Sequence, residues 1–133
     1  MMTTRIIQII SGIAGLGALT LGLLFWIANI DLINIHMLFG LLVTLTLLVM
    51  SIIALSTRCM RIWGIVGIVY ALIVPVFGLT QTGILTGGLH WLIQTAHMLV
   101  GIGAIVLTGT MSARYMTLKH TMAKLAPESR AVR

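Results

Sequence analysis

Charged residues are scarce in this chain of 133 residues: Asp, Glu, Lys and Arg together make up only 8% of it. A soluble globular domain carries about 25% charged residues, so the composition excludes an ordinary soluble enzyme and a disordered chain. Cysteine occurs once, as Cys59, which excludes a disulfide framework and a metal cluster held by several cysteines. Hydrophobic residues make up 59% of the chain. The composition therefore predicts an integral membrane protein.

Four apolar stretches are each long enough to cross a bilayer as an α-helix, which needs about 20 residues. None of them contains Lys, Arg, Asp or Glu. The expected spans are residues 6–28, 33–55, 62–79 and 89–111. Because backbone polar groups must be paired inside lipid, helices are the expected form of these segments. The sequence thus predicts an all-α, integral membrane four-helix bundle in residues 1–112 and a basic cytoplasmic tail in residues 113–133.

Acidic residues are almost absent: two stand against eight basic residues, which gives a formal net charge of +6. The basic residues lie before the first span, between the second and third spans, and after the fourth: Arg5, Arg58, Arg61, Arg114, Lys119, Lys124, Arg130 and Arg133. By the positive-inside rule this placement predicts a multi-pass protein of the cell (plasma or cytoplasmic) membrane with both termini in the cytoplasm. The charge is then an orientation signal, so membrane lipid is an expected partner and nucleic acid is not.

A short motif recurs in the second and fourth spans. Residues 36–40, HMLFG, return in register as residues 97–101, HMLVG. Two further matches accompany it: Met50-Ser51 with Met111-Ser112, and, more loosely, Gly12-Ile13-Ala14-Gly15 with Gly64-Ile65-Val66-Gly67. Self-similarity of this kind indicates a repeated structural unit. We expect two helical hairpins related as a parallel repeat, both starting in the cytoplasm.

His36 and His97 are the candidate functional residues. Each begins a span on the outer side, so we expect both side chains at similar depth on diagonally opposed helices. Facing helices of a four-helix bundle commonly supply the ligands of a cofactor, and histidine is a usual axial ligand of haem iron. Gly40 and Gly101 follow the histidines by four residues, on the same helix face, where a side chain would collide with a flat macrocycle. The pattern predicts at least one haem b, with His36 and His97 on its iron.

Other polar residues near the expected haem are few. His90 precedes His97 by seven residues and lies on the same helix face, nearer the outer surface. His90 and Gln94 are candidate donors to the haem propionates, while a second metal, a proton relay or a plain interfacial role for His90 stays open. Interhelical hydrogen bonding is the alternative role for the two expected ligands. Zinc is disfavoured, because no cysteine or nearby carboxylate completes a four-ligand site.

Residues 78–84, GLTQTGI, are followed by Ala96-His97 and Gly101, and a histidine begins both the second and the fourth span. In this pattern the chain, over about residues 6–112, resembles one four-helix half of the haem A synthase family, in its compact single-bundle form. The resemblance implies haem ligation by His36 and His97 on the outer side. The family also carries a glutamate three residues before the histidine of its second helix, where Ile33 stands here, and paired loop cysteines, which are missing.

The leading hypothesis is a b-type cytochrome-like protein that transfers electrons or forms a haem-bearing subunit of a membrane redox complex. Its expected partners are other redox subunits or quinone, and on this hypothesis the chain is not itself an enzyme. The alternatives are a haem A synthase-like enzyme, a haem-free structural subunit of a larger complex, and a small proton-coupled exporter. The exporter is weakened because no span contains an acid. Small residues share one face of the first span (Ser11, Gly15, Ala18 and Gly22) and one face of the third (Gly64, Gly67, Ala71 and Gly78). These faces predict close packing between helices and also allow a homodimer.

Overall fold

Four long helices make up almost all of the structure, a computed structural model that describes the backbone of residues 2–131 and the side chains of residues 2–124. They are α1 (Met2–Ala28), α2 (Ile33–Leu55), α3 (Arg61–Thr80) and α4 (His90–Ala131), with short 3-10 turns at Arg58–Met60 and Gln81–Gly83. No strand occurs in the described residues. Each helix is long and apolar enough to cross a membrane. The predicted all-helical class is confirmed, and the four described helices are compatible with the four expected spans.

Two polar residues close the turn between α1 and α2. Asn29 has a positive φ of 52°, the left-handed conformation that commonly follows the last residue of a helix and that Asn tolerates better than most residues. Asp31 then accepts a hydrogen bond of 3.3 Å from the backbone N–H of Ile33, the first residue of α2. This bond satisfies one of the N–H groups that a helix start leaves without an intrahelical partner. The chain therefore reverses within residues 29–32.

Helices α2 and α4 pack against each other across the middle of the bundle, and α1 and α3 contact both of them from either side. Leu47 and Met50 of α2 and Met111 of α4 are completely buried. Tyr70 ties α3 to α4, because its hydroxyl donates a 3.0 Å hydrogen bond to the carbonyl oxygen of Val100. Lipid tails are as apolar as leucine, so these contacts stabilise the bundle by close packing and hydrogen bonding rather than by removal from water.

Glycine allows α2 and α3 to approach closely. A Cβ on Gly64 would lie 2.7 Å from the backbone nitrogen of Leu55 and 2.8 Å from the backbone oxygen of Ser51. A Cβ on Gly67 would collide with the side chain of Ser51. Small residues at such positions let two helix backbones pack together. Gly64 and Gly67 therefore serve helix packing, as the sequence suggested for the small-residue faces.

The motif that recurs in the second and fourth spans occupies equivalent environments in α2 and α4. Both histidines are half-buried, and four pairs of equivalent positions after them are buried in both helices. The buried pairs are Val43 with Ala104, Leu47 with Thr108, Met50 with Met111, and Ser51 with Ser112. Each copy thus turns the same face toward the bundle interior.

Helix α4 continues past Met111, where the fourth span was expected to end, and runs to Ala131. The guanidinium of Arg114 lies over the Trp63 ring of α3 at 4.6 Å from its centroid. A cation above an aromatic face is attracted by the ring quadrupole, which holds this part of the helix against the start of α3. The basic tail is therefore continuous with the bundle helix as far as Ala131, and residues 132–133 lie outside the described part.

Candidate functional site: a histidine pair beside an apolar cleft

Two histidines from the central helices face each other inside the bundle. His36 lies in the first turn of α2, and His97 lies two turns into α4. Their ring centroids are 6.0 Å apart, and the ring planes are tilted by 55°. The crossing of α2 and α4 therefore brings together the two residues that the sequence singled out, although 61 positions separate them in the chain.

The separation of the two rings suits one metal ion between them. A bond from metal to imidazole nitrogen is about 2.0 Å long, and the ring centroid lies about 1.2 Å behind that nitrogen, so two imidazoles on opposite sides of an ion have centroids about 6.4 Å apart. The observed 6.0 Å is close to this value. The separation of the rings is therefore compatible with ligation of a single ion.

The hydrogen bond of His36 leaves its second ring nitrogen free. Its Nδ1 lies 2.9 Å from the carbonyl oxygen of Ala18 on α1. Because a carbonyl oxygen only accepts, the ring proton is assigned to Nδ1, and Nε2 keeps its lone pair. Metal-ligating histidines are usually oriented by such a bond from the second ring nitrogen. In His97 the buried Nδ1 has no hydrogen-bond partner among the described residues.

Each histidine ring lies against a glycine of the preceding helix. A Cβ built on Gly22 of α1 would lie 3.3 Å from Cε1 of His36, and one on Gly78 of α3 would lie 3.2 Å from Cε1 of His97. Helices α1 and α3 therefore each place a glycine against the histidine ring of the helix that follows.

These contacts correct the loose alignment of the first and third spans. Gly22 and Gly78 are 56 positions apart, whereas Gly12 and Gly64 are 52 apart, so that alignment is out by about one helical turn. Gly12 and Gly64 also have different surroundings, as expected if they are not equivalent. Gly12 is exposed, with no atom of the described residues near its Cβ position beyond its own helix, whereas Gly64 is buried against α2.

A cleft with a volume of about 260 Å³ opens beside the histidines, lined mainly by α1, α2 and α4 and mostly by apolar side chains. Gly40 and Gly101 border it, and a Cβ on either would meet no atom of the described residues within 4 Å beyond the backbone of its own helix. Unlike Gly64, these two glycines are not needed for helix packing. Their effect is to keep free space on the same helix faces as His36 and His97.

Polar side chains gather at the end of the cleft nearest the α3–α4 connection. Gln81, Thr82, His90 and Gln94 line it there. His90 Nδ1 lies 3.4 Å from the carbonyl oxygen of Ile84, and the buried Oε1 of Gln81 has no partner among the described residues. This end of the cleft therefore offers hydrogen-bonding groups to a ligand without a Lys or Arg among the described lining residues.

The histidine pair has no further protein ligands beside it. Among the described residues, no group of three or more His, Cys, Asp or Glu is placed to hold a metal ion. A structural zinc site takes four protein ligands, so the pair does not suit zinc. Two axial imidazoles do suit a haem iron, whose other ligands are the porphyrin nitrogens.

All of the site residues named from the sequence line this one cleft: His36, Gly40, His90, Gln94, His97 and Gly101. Gly22 and Gly78 were recognised only as members of small-residue faces, and their contact with the histidines was missed. They lie 14 and 19 residues before their histidines. With no common spacing, the sequence carries no motif that pairs them.

Fold and site together define a class: an all-helical protein with four candidate membrane-spanning helices and a histidine pair beside an apolar cleft. The chain matches no protein family, no curated protein and no solved structure.

Proposed function

We propose that the protein is a b-type cytochrome-like membrane protein that holds haem b with His36 and His97 as axial ligands. The observation that carries the proposal is the 6.0 Å separation of the two rings beside an apolar cleft. Bound haem supplies one-electron redox chemistry, while the protein supplies binding, orientation and a dry pocket. Electron transfer, alone or as a subunit of a membrane redox complex, is the function this chemistry supports.

The free space at Gly40 and Gly101 supports the proposal independently of the ring distance. A haem held by His36 and His97 would have its macrocycle close to the helices that carry these residues. One turn further along each helix, a side chain would meet the macrocycle, and glycine removes it. Because the protein itself leaves this space empty at both positions, helix packing gives no reason for glycine there.

The polar end of the cleft suits the haem propionates. His90 and Gln94 lie on α4 at that end, with Gln81 across from them on the α3–α4 connection. Neutral donors hold a carboxylate by hydrogen bonds without a full opposite charge, and each such bond contributes about 1.5–3 kcal/mol when one partner is charged. We infer that these residues orient the macrocycle, and that the histidines and the apolar walls supply most of its affinity.

The lining of the cleft favours an electron carrier over an enzyme that oxidises haem. Ile33 lines the cleft at the position where the haem A synthase family carries its glutamate. Asp31 is exposed in the preceding turn, where its carboxylate accepts the hydrogen bond from Ile33. The described residues around the cleft therefore provide no carboxylate that could take up a proton.

We further propose that the histidines lie near the outer face of the cell membrane, with both termini in the cytoplasm. His36 is at the start of α2, while Arg58 and Arg61 follow its end, so the basic connection lies at the opposite end of the bundle from the cleft. With positive charge on the cytoplasmic side, the haem would exchange electrons with a redox subunit or quinone from the outer half of the bilayer.

Titration of haem b into the purified, haem-free protein in detergent tests the proposal, with absorbance as the readout. The unaltered protein should bind one haem per chain and show a low-spin spectrum. His36→Ala and His97→Ala should each abolish that spectrum, whereas the control His120→Ala, at an exposed position of α4, should leave it unchanged.

Tight low-spin binding in both ligand variants would contradict the assignment. A protein that takes up no haem would support a haem-free structural subunit instead. Conversion of the bound haem to a modified product, detected by mass spectrometry after turnover, would support the enzymatic alternative.

A further inference from the structure

We propose that Gly22 and Gly78 are positioning residues that set the orientation of the two histidine rings, one from each side of the bundle. The consequence for haem ligation rests on the function proposed above. The contacts on which the inference is based do not depend on that function, because they are made between residues of the protein itself.

Helix α1 holds His36 at two points. Its Nδ1 is within 2.9 Å of the carbonyl oxygen of Ala18, and its Cε1 would lie 3.3 Å from a Cβ on Gly22. Residues four positions apart lie on the same helix face, so the ring edge follows the α1 surface from Ala18 to Gly22. A methyl group on Gly22 would push the ring edge away and lengthen the bond to Ala18.

Helix α3 contacts His97 through Gly78 and Phe77, with no hydrogen bond among the described residues. A Cβ on Gly78 would lie 3.2 Å from Cε1 of His97, and the Phe77 ring lies 6.0 Å from the imidazole centroid with a tilt of 38°. Nδ1 of His97 has no partner among the described residues, so no hydrogen bond resists rotation of the ring. We therefore expect the ring of His97 to respond more strongly to Gly78→Ala than the ring of His36 does to Gly22→Ala.

Helix packing does not account for these two glycines. Among the described residues outside its own helix, the only atoms within 4 Å of a Cβ on Gly22 belong to His36, and those near a Cβ on Gly78 belong to His97. At Gly64, by contrast, the nearest atoms include the backbone of α2. A methyl group at Gly22 or Gly78 would thus act on an imidazole and on no neighbouring backbone.

The orientation of the rings matters because the angle between two axial imidazole planes affects the electronic structure of a low-spin ferric haem. The g values of its EPR spectrum report that angle. The structure sets the two planes 55° apart, and Gly22 and Gly78 each contact one of the two rings. Substitution at either glycine should therefore change the EPR spectrum while leaving both ligands in place.

The experiment compares Gly22→Ala and Gly78→Ala in the full chain with Gly12→Ala, an exposed α1 control with open space at its Cβ position. In haem-free protein in detergent, NMR of ¹⁵N-labelled histidine should show the His36 ring signals shifted in Gly22→Ala only. The His97 signals should shift in Gly78→Ala only, and by more. Gly12→Ala should leave both sets unchanged. In haem-loaded protein, the first two variants should change the low-spin g values and the third should not.

Ring signals that stay at their unaltered positions in Gly22→Ala and Gly78→Ala would overturn the inference, whether or not the protein binds haem. Haem binding with unchanged ring signals would therefore contradict the positioning role and leave the proposed function intact. A failure to bind haem, with shifted ring signals, would defeat the proposed function alone. If either variant fails to fold, NMR of the unaltered protein tests the contact instead. An NOE from Hα of Gly78 to Hε1 of His97 is expected, and its absence would also overturn the inference.

Discussion

Replacing Gly40 and Gly101 by alanine should separate the stability of the bundle from its capacity to bind haem. A Cβ at either position would meet no atom of the described residues within 4 Å beyond the backbone of its own helix, so the protein does not oppose the methyl group. Glycine in a helix interior costs roughly 0.8–1.0 kcal/mol relative to alanine. Each substitution should therefore leave the free energy of unfolding of the haem-free protein unchanged, or raise it by up to about 1 kcal/mol.

The same methyl groups would occupy space that the proposed haem needs. Inserting a methylene or methyl group into a well-packed site typically costs about 1–3 kcal/mol. Since each 1.4 kcal/mol is a factor of ten in an equilibrium constant, each substitution should raise the Kd for haem by about 5- to 150-fold. Stability and affinity should thus change in opposite directions, which a general disruption of the fold would not produce.

Thermal unfolding of the haem-free protein and haem titration, both in the same detergent, provide the two readouts. Gly109→Ala is the matched control on α4, because it also has open space at its Cβ position but is not among the residues that line the cleft. It should share the stability gain and leave the Kd unchanged. Haem affinity that stays at the unaltered level in Gly40→Ala and Gly101→Ala would refute the reasoning, since the haem would then lie elsewhere.

Three further variants test the packing and the orientation. Gly64→Ala should lower the free energy of unfolding by about 1–3 kcal/mol, because its Cβ would lie 2.7 Å from a backbone nitrogen of α2; unchanged thermal unfolding would contradict that close approach. Met50→Ala empties a completely buried position and should cost about 2–5 kcal/mol in the same assay, and a smaller loss would indicate that the core collapses around the cavity. Arg58→Glu with Arg61→Glu removes the positive charge that is expected to keep the α2–α3 connection in the cytoplasm. Part of the molecules should then take the opposite orientation, and in those the exposed Cys59 should react with an impermeant thiol reagent added outside the cell. Labelling of Cys59 in the unaltered protein would show the opposite orientation.

The helices were predictable because the bilayer constrains them strongly. The expected second span begins at Ile33 and ends at Leu55, as α2 does, and the first ends with α1 at Ala28. The end of α4 was not predictable in the same way. Hydropathy locates the end of an apolar segment, whereas Lys, Arg, Met and Ala continue a helix as readily as Leu does. Helix α4 therefore continues past the last apolar residues of the span, and it ends at Ala131.

The candidate site was predictable where its residues recur at a fixed spacing within one helix. His36 with Gly40, and His97 with Gly101, each lie one turn apart, and the repeat preserves that spacing. Contacts between helices leave no such signal. The connections between the paired helices differ in length, so Gly22 and Gly78 lie at different distances in sequence from the histidines they contact, and the sequence alignment of α1 with α3 came out one turn away.

Ligation of haem iron by His36 and His97 is decided by the absorption spectrum of the protein purified from membranes. The unaltered protein should show a low-spin haem spectrum with a sharp α band on reduction. That spectrum should be lost in the double variant His36→Ala/His97→Ala and retained in His90→Ala. A colourless preparation that takes up no added haem, or a spectrum that is the same in the double variant, would contradict the proposed ligation.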